Sequence, residues 1–303
     1  MTAYLAAEGY EHQLDEELSA AGVPVRQRHG RLCLTDTDPI ASAWAANVWY
    51  DVVERTVDSI GNAAIVLKGM QRNWASYAPA HTGRVRLITE KLPHVSAKPL
   101  PLGTLAPAAP LGSFTLLKPE LLLAAAHCSS AFANGEVMFE EDRFGPPSRA
   151  YLKLCEAFVR VGQMPAKGDR CLDLGASPGG WTWYLQRLGA QVLAVDKAPL
   201  DPAVARLRNV QWRGESAFGL DPASVDPVEW LCSDIVAYPE RLLRLVRTWI
   251  DSGRARNIVC TVKFQGALDQ AIVAEFAAIE HAQLFHLHHN KHELTFARIL
   301  PAA

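Results

Sequence analysis

The stretch from Arg170 to Ala198 constrains the fold of this chain more than any other. It reads Arg-Cys-Leu-Asp-Leu-Gly-Ala-Ser-Pro-Gly-Gly-Trp-Thr, then a segment of helical spacing, then Gln-Val-Leu-Ala-Val-Asp. Cys171, Leu172 and Leu174 predict a short buried strand, and Gly175 to Gly180 a glycine-rich turn. Trp181 to Leu188 has helical spacing, and Gly189 suits its C-terminal end. Val192 to Val195 predicts a second buried strand, closed by Asp196. A β–loop–α–β unit ending in an acid about twenty residues past its glycines has the layout of a nucleotide-type cofactor site. Glycines let backbone approach a ligand with no Cβ in the way. The acid at the end of the second strand can accept two ribose hydroxyls.

The spacing departs from a dinucleotide fingerprint. It begins with an acid, Asp173, and carries Pro178 before Gly179 and Gly180. An acid there repels a pyrophosphate but suits a ligand with an amino group, such as S-adenosylmethionine. Two other readings stay open at this point: a tight turn in an ordinary α/β fold, and a dehydrogenase.

The chain has 303 residues, enough for two domains at roughly 100–200 residues each, and 49% hydrophobic content supports a core. The formal net charge of −2 excludes a global basic field that would advertise a polyanion partner. The balance is −4 over residues 1–144 (12 Lys+Arg, 16 Asp+Glu) and +2 over the rest (18 and 16). The slight basic excess thus travels with the glycine-rich unit. Cysteines at 33, 128, 155, 171, 232 and 260 form no CxxC pair and read as reduced core thiols of a cytoplasmic protein. The N-terminus lacks the layout of a signal peptide. No apolar run approaches the ~20 residues of a membrane span.

Along the chain, Tyr4 to Ala7 predicts a strand and Tyr10 to Ala21 a helix. Arg31 to Leu34 predicts a strand, Pro39 to Asn47 a short helix and Arg84 to Thr89 a strand; Val52 to Val57 and Ile60 to Leu67 read as strand or early helix. Residues 1–97 therefore read as a small α+β domain. Residues 98–112, with Pro99, Pro101, Pro107 and Pro110, read as an extended connector, because such proline density blocks regular structure. Residues 113–144 read as a connecting helix (Pro119 to Ala131) and strand (Glu136 to Phe139). Residues 145–303 read as an α/β domain, opening on a helix from Ser148 to Val161 with Ser148 as its N-cap. Further strands fall at Val210 to Trp212, Val228 to Cys232 and Asn257 to Lys263, with helices at Pro239 to Ser252 and Leu268 to His281. A final hairpin joins Leu284 to His288 with Glu293 to Ile299. Alternating strands and helices imply a mostly parallel sheet, and the hairpin one antiparallel strand.

Ligands bind such sheets at the carboxyl ends of the strands. Strand one leads to Asp173, strand two to Asp196, the Leu231-Cys232 strand to Ser233-Asp234, and the Ile258 to Val262 strand to Lys263. An antiparallel last strand starts at the same edge, with Glu293. Asp234, Lys263 and Glu293 could converge there, with Lys153 reaching in from the preceding helix. Each has a bland alternative: Lys153 a solvated helix lysine, Asp234 a helix cap, Lys263 and Glu293 a plain ion pair. Their joint occurrence at one edge favours chemistry, namely alkyl transfer to a hydroxyl. A ribose 2′-hydroxyl is a poor nucleophile until its proton is accepted. A lysine accepts it only when neutral, a state favoured by a second lysine and partial burial and opposed by carboxylates.

These residues resemble the Lys-Asp-Lys-Glu tetrad of FtsJ-like 2′-O-ribose methyltransferases, and most of all the RlmM-type enzymes, which methylate a cytidine ribose of 23S ribosomal RNA. The matching pieces are Pro147 to Leu154 (Pro-Ser-Arg-Ala-Tyr-Leu-Lys-Leu), Asp173 to Thr182, Val195-Asp196, Cys232-Ser233-Asp234, Val262-Lys263 and His292-Glu293-Leu294-Thr295. They span roughly residues 145–300 in order. The resemblance implies a Rossmann-like methyltransferase domain with a seven-stranded, mostly parallel sheet. It also implies a smaller ferredoxin-like or partial THUMP domain before it, where Tyr4 to Leu18 looks like the start of the ferredoxin-like piece. Lys263 would be the base, and Lys153, Asp234 and Glu293 would complete the tetrad. Ser148, Asp173, Gly175, Ser177, Pro178, Gly179, Gly180, Trp181, Asp196 and Asp234 would line the S-adenosylmethionine site, with Ser216, beside Glu215, near the adenine. The implied partner is RNA, ribosomal RNA in this family; no membrane and no metal are expected, and a monomer is. A noncatalytic S-adenosylmethionine- or RNA-binding homologue and a methyltransferase for a different hydroxyl are the alternatives.

Three further features have bland readings. His286, His288, His289 and His292 cluster without an acid or cysteine to complete a metal set, and read as a hairpin surface with some nucleic-acid contact rather than a metal site. Arg241, Arg244 and Arg247 line one helix face, which reads as solvated surface or as a phosphate contact. The rings of Trp181 and Trp183 are expected to pack rather than to stack on a base.

Overall fold

The computed structural model describes residues 1–266 and 268–301, and the chain divides into two compact units. The first comprises residues 1–100 and 106–138, the second residues 101–105 and everything from Phe139 onward. The first unit runs β1 (Thr2–Ala6), α1 (Glu11–Ala20), β2 (Val25–His29), β3 (Leu32–Thr35), β4 (Ala45–Tyr50), β5 (Val53–Thr56), α2 (Ile60–Met70), β6 (Trp74–Ser76), α3 (Thr82–Thr89), β7 (Gly112–Lys118), β8 (Leu121–Ala125) and β9 (His127–Cys128). The strands form one sheet of order β2-β3-β1-β4-β9 and another of order β5-β8-β7-β6.

Four expectations for the first 139 residues are corrected. Pro119 to Ala131 is not a helix: Leu121–Ala125 is a strand between β5 and β7. Its leucines and alanines favour a helix in isolation, but alternate residues serve different cores. Leu122 and Ala124 join Phe114, Leu116, Val85 and Ile88, whereas Leu123 and Ala125 join Leu5, Leu34 and Trp49. Burial on both faces outweighs intrinsic propensity. Arg84 to Thr89 is helical, because Val85 and Ile88, three apart, are the two residues it buries. Pro39 to Asn47 is not a helix; its end enters β4, which pairs antiparallel with β1 through Tyr4 opposite Val48. Glu136 to Phe139 forms no strand element, and residues 101–111 carry neither helix nor strand.

The second unit runs α4 (Tyr151–Val161), β10 (Arg170–Leu174), α5 (Gly180–Arg187), β11 (Gln191–Val195), α6 (Pro202–Ala205), β12 (Val210–Arg213), β13 (Val228–Ser233), α7 (Pro239–Asp251), β14 (Ala255–Lys263), α8 (Gln270–Ala277), β15 (Ala282–Phe285) and β16 (Glu293–Arg298). Its seven strands form one sheet of order β12-β11-β10-β13-β14-β16-β15. Every pairing is parallel except those of β16, which runs antiparallel to both β14 and β15. This is a Rossmann-like α/β architecture, doubly wound outward from β10. The strand order reverses between β10 and β13, so the crevice at their carboxyl ends is the topological switch point where such sheets bind ligands. Ser148 does not cap α4; the helix begins at Tyr151, after a turn. Among the described residues no helix is long and apolar enough to cross a membrane.

Candidate active site

The turn after β10 is shaped by its glycines. Gly175 has φ +77°, and its N–H donates to the Val195 carbonyl at 2.9 Å. A Cβ on Gly175 would lie 2.8 Å from the Ile235 Cβ, so neither the backbone conformation nor the space admits a side chain. Gly175→Ala is expected to cost about 1–3 kcal/mol, read as a lowered urea midpoint. Gly179 (φ +113°) is the N-cap of α5. A Cβ on Gly180 would meet the Ser148 hydroxyl at 2.7 Å, so the two residues are in close contact. Ser148 thus lies against the start of α5, beside the glycine turn.

Asp196, at the end of β11, braces the same turn. Its Oδ2 accepts the Ser177 N–H at 3.0 Å and its Oδ1 the Ala198 N–H at 2.9 Å. Each carboxylate oxygen keeps a second lone pair for a ribose hydroxyl. The Pro178 carbonyl accepts the Asp201 N–H at 2.9 Å. Asp173 is turned inward, only 1% exposed, and accepts the Thr182 hydroxyl at 2.6 Å. Burial pushes its carboxyl up to about 7; the Asp234 and Asp196 charges add to this and the Thr182 hydrogen bond opposes it. In the unfolded chain the same group titrates near its ordinary value of 3.8. Between those values the folded chain holds a proton that the unfolded chain has released, so raising the pH through that window destabilises the fold. Asp173→Asn should remove a slope of up to about 1.4 kcal/mol per pH unit, seen in urea midpoints measured across the window.

Trp181, expected among the cofactor contacts, is 3% exposed and donates its indole N–H to the Ala150 carbonyl at 2.9 Å. Its observed contact ties α5 to the start of α4. Trp183 packs edge-on against Tyr151. Ser216 follows β12 and is half-buried, and the neighbouring Glu215 pairs with Arg213.

The four charged residues meet at the sheet edge. Lys263 ends β14 and stands directly opposite Glu293, the first residue of β16. Asp234 follows β13, and Lys153 projects from the first turn of α4. Lys153 Nζ lies 2.9 Å from Asp234 Oδ1 and 3.0 Å from Glu293 Oε1. Lys263 Nζ lies 3.0 Å from the same Asp234 oxygen and also donates to the Asp234 backbone carbonyl. One carboxylate oxygen therefore holds both amines, and all four side chains are less than one-fifth exposed. Lys153 sits between two carboxylates, Lys263 beside one that it shares.

Sequence reasoning left Thr182 and Glu156 unassigned. Thr182 stands nine residues past the acid it binds, a separation bridged only by the turn. Glu156 is an acid in a buried helix, three residues after Lys153; that polar interruption of an apolar run was the available signal. Of the histidines, His289 pairs with Glu156. Among the described residues no group of three His, Cys, Asp or Glu could hold a metal ion. On α7, Arg247 pairs with Glu275 and Arg241 lies over the Phe218 ring, so two of the three arginines serve intramolecular contacts.

Residues 146–237 match the FtsJ-like methyltransferase family. The chain is 35% identical over 157 residues to a ribosomal RNA large subunit methyltransferase M of Halorhodospira halophila, covering 49% of this chain and 46% of that protein. It is 35% identical over 172 residues to the protein of the same name from Aromatoleum aromaticum, covering 52% and 46%. The chain thus spans about half the length of these relatives. An Aeropyrum pernix fibrillarin crystallised with S-adenosyl-L-methionine superposes with a TM-score of 0.38 at 16% identity, covering 61% of this chain and 81% of that one. The resemblance read from the motifs is matched: from Pro146 to Ala237 the chain is similar to the FtsJ-like methyltransferases, and over about half its length to ribosomal RNA large subunit methyltransferase M.

Proposed function

We propose that the protein transfers a methyl group from S-adenosylmethionine to a ribose 2′-hydroxyl of RNA, with large-subunit (23S) ribosomal RNA as the substrate. The observation that carries this reading is the asymmetry of the two lysines. Lys153 Nζ is held between two carboxylate oxygens, at 2.9 and 3.0 Å. Lys263 Nζ has one, already shared with Lys153, and so is the amine less fully engaged by carboxylates. Lys263 Nζ accepts the 2′-hydroxyl proton, Asp234 orients both amines, and Glu293 holds Lys153. The Lys153 charge stabilises the oxyanion as it develops.

The glycine turn fits the methyl donor: Gly175 and Gly179 hold backbone conformations that side chains rarely adopt, and Asp196 retains lone pairs for ribose hydroxyls. Ser148, Ser177 and Pro178 border the turn, and Ser216 would flank the adenine. Asp173, beneath the turn, would act on the donor's amino group through its field. When bound, S-adenosylmethionine supplies an electrophilic methyl on its sulfonium. The work of the chain is to position the two reactants and move one proton.

We read the first unit as a ferredoxin-like, THUMP-related module that contributes RNA binding; its β1-α1-β2-β3 opening supports this. The six unpaired cysteines support a cytoplasmic setting.

The test is transfer of tritiated methyl from S-adenosylmethionine to undermethylated 23S ribosomal RNA, with the product mapped by its resistance to alkaline cleavage. Label at an alkali-resistant position supports the reading. Cofactor binding without label on any RNA would establish a noncatalytic homologue instead.

A further inference from the structure

Glu156 is a buried carboxylate that the proposed chemistry does not use. It is 5% exposed, in a helix whose other buried residues are mostly apolar. Burying a carboxylate is costly unless its oxygens are engaged, and both of these are. Oε1 accepts the His288 N–H at 2.7 Å, and Oε2 accepts the His289 N–H at 3.0 Å while pairing with His289 Nδ1 at 2.6 Å. Those three bonds go to the connection between β15 and β16, the segment that delivers Glu293.

The connection is braced internally as well. His286 Nε2 bonds the Lys291 carbonyl at 3.0 Å. Asn290 Nδ2 donates to the Glu293 carbonyl at 3.3 Å and to the Thr295 hydroxyl at 3.2 Å. The Lys291 N–H donates at 3.3 Å to Glu293 Oε1, the same oxygen that receives Lys153 Nζ. Lys153 and Glu156 are three residues apart and so lie on one face of α4. The helix therefore grips the connection at two points one turn apart, once with an amine at Glu293 and once with a carboxylate at His288 and His289.

We propose that Glu156 is a positioning residue: by clamping the backbone of His288 and His289, with the His289 ring as its side-chain partner, it sets where the Glu293 carboxylate meets Lys153. The inference rests on the proposed role of the tetrad. Glu156 touches no reactant. Its loss displaces Glu293 and loosens the Lys153 ammonium while leaving both substrate sites intact.

Glu156→Gln keeps the volume but turns an NH2 donor towards backbone N–H groups that need acceptors. The expected result is a kcat lowered on the order of tenfold to a hundredfold, as for a small misplacement of a reacting group. The KM for RNA and the binding of S-adenosylmethionine stay unchanged. Amide exchange at His288, His289 and Lys291 accelerates. His289→Gln, which keeps the two backbone bonds, should give a smaller effect in the same direction. The deciding measurement is the double variant: in a Glu293→Gln background, Glu156→Gln should lower kcat no further, because the clamp acts through Glu293. Effects that multiply in the double variant would overturn the proposal, as would a raised KM at constant kcat. Unchanged amide exchange in Glu156→Gln would overturn it too, and that arm needs no turnover. Absence of methyl transfer by the wild-type protein would instead sink the proposed function, leaving the exchange measurement to decide on the clamp.

Discussion

Lys263→Ala should abolish methyl transfer to undermethylated 23S ribosomal RNA, lowering kcat by about 10²–10⁴-fold, the contribution general bases make. Binding of S-adenosylmethionine should be unaffected, because Lys263 lies at the end of β14 and the glycine turn follows β10, two strands away in the sheet. Lys263→Arg should be nearly as inactive: guanidinium keeps the positive charge but cannot release its proton. That comparison separates a base from a phosphate contact, since an arginine would serve a phosphate as well as a lysine does. Lys153→Arg offers the converse. A residue whose work is to remain a cation between Asp234 and Glu293 should tolerate the exchange better than Lys263 does. The rates are read by single-turnover methyl transfer with saturating RNA. Equal rates for wild type and Lys263→Ala would exclude Lys263 as the base.

The parts of the site legible in the sequence are those where chain order and spatial order coincide. A parallel strand ends where its apolar run ends, so Asp196, Asp234 and Lys263 could be assigned to one edge from the chain alone, whereas Asp173 lies within β10 and is turned inward. Glu293 followed once the last strand was read as antiparallel, and the structure sets it opposite Lys263. What stayed hidden depends on partners distant in sequence. Leu121–Ala125 is a strand because two separate cores claim its alternate residues. The fate of Trp181 was set by a carbonyl at Ala150, and that of Glu156 by amides 132 and 133 residues away. Arg84 to Thr89 misled for another reason: over so short a run, alternation and a three-residue repeat cannot be told apart.

The shared oxygen of Asp234 leads to the second large effect. Asp234→Asn keeps the shape but removes the charge that holds Lys153 and Lys263, at 2.9 and 3.0 Å from one atom. Lys153 keeps Glu293 at 3.0 Å; Lys263 keeps the backbone carbonyl of residue 234 and loses its carboxylate. Removing one partner of a buried charge set strands the others, and a loss of about 3 kcal/mol is expected, the low end for such changes because the group retains some exposure. Activity should fall as far as in Lys263→Ala, since the base loses its orientation. The two losses should not multiply: groups that act as a unit fail together, so Lys263→Ala/Asp234→Asn should be no slower than either single variant. Stability should behave oppositely. Adding Lys263→Met to Asp234→Asn removes the stranded amine and should recover much of the urea midpoint while activity stays absent. If instead the double variant were less stable than Asp234→Asn by the full cost of the lysine change, the two side chains would be independent and the shared-carboxylate geometry would have no energetic consequence. The opposite signs expected for stability and activity follow from one cause: a carboxylate oxygen that keeps two amines together, in a fold that would be easier to build without them.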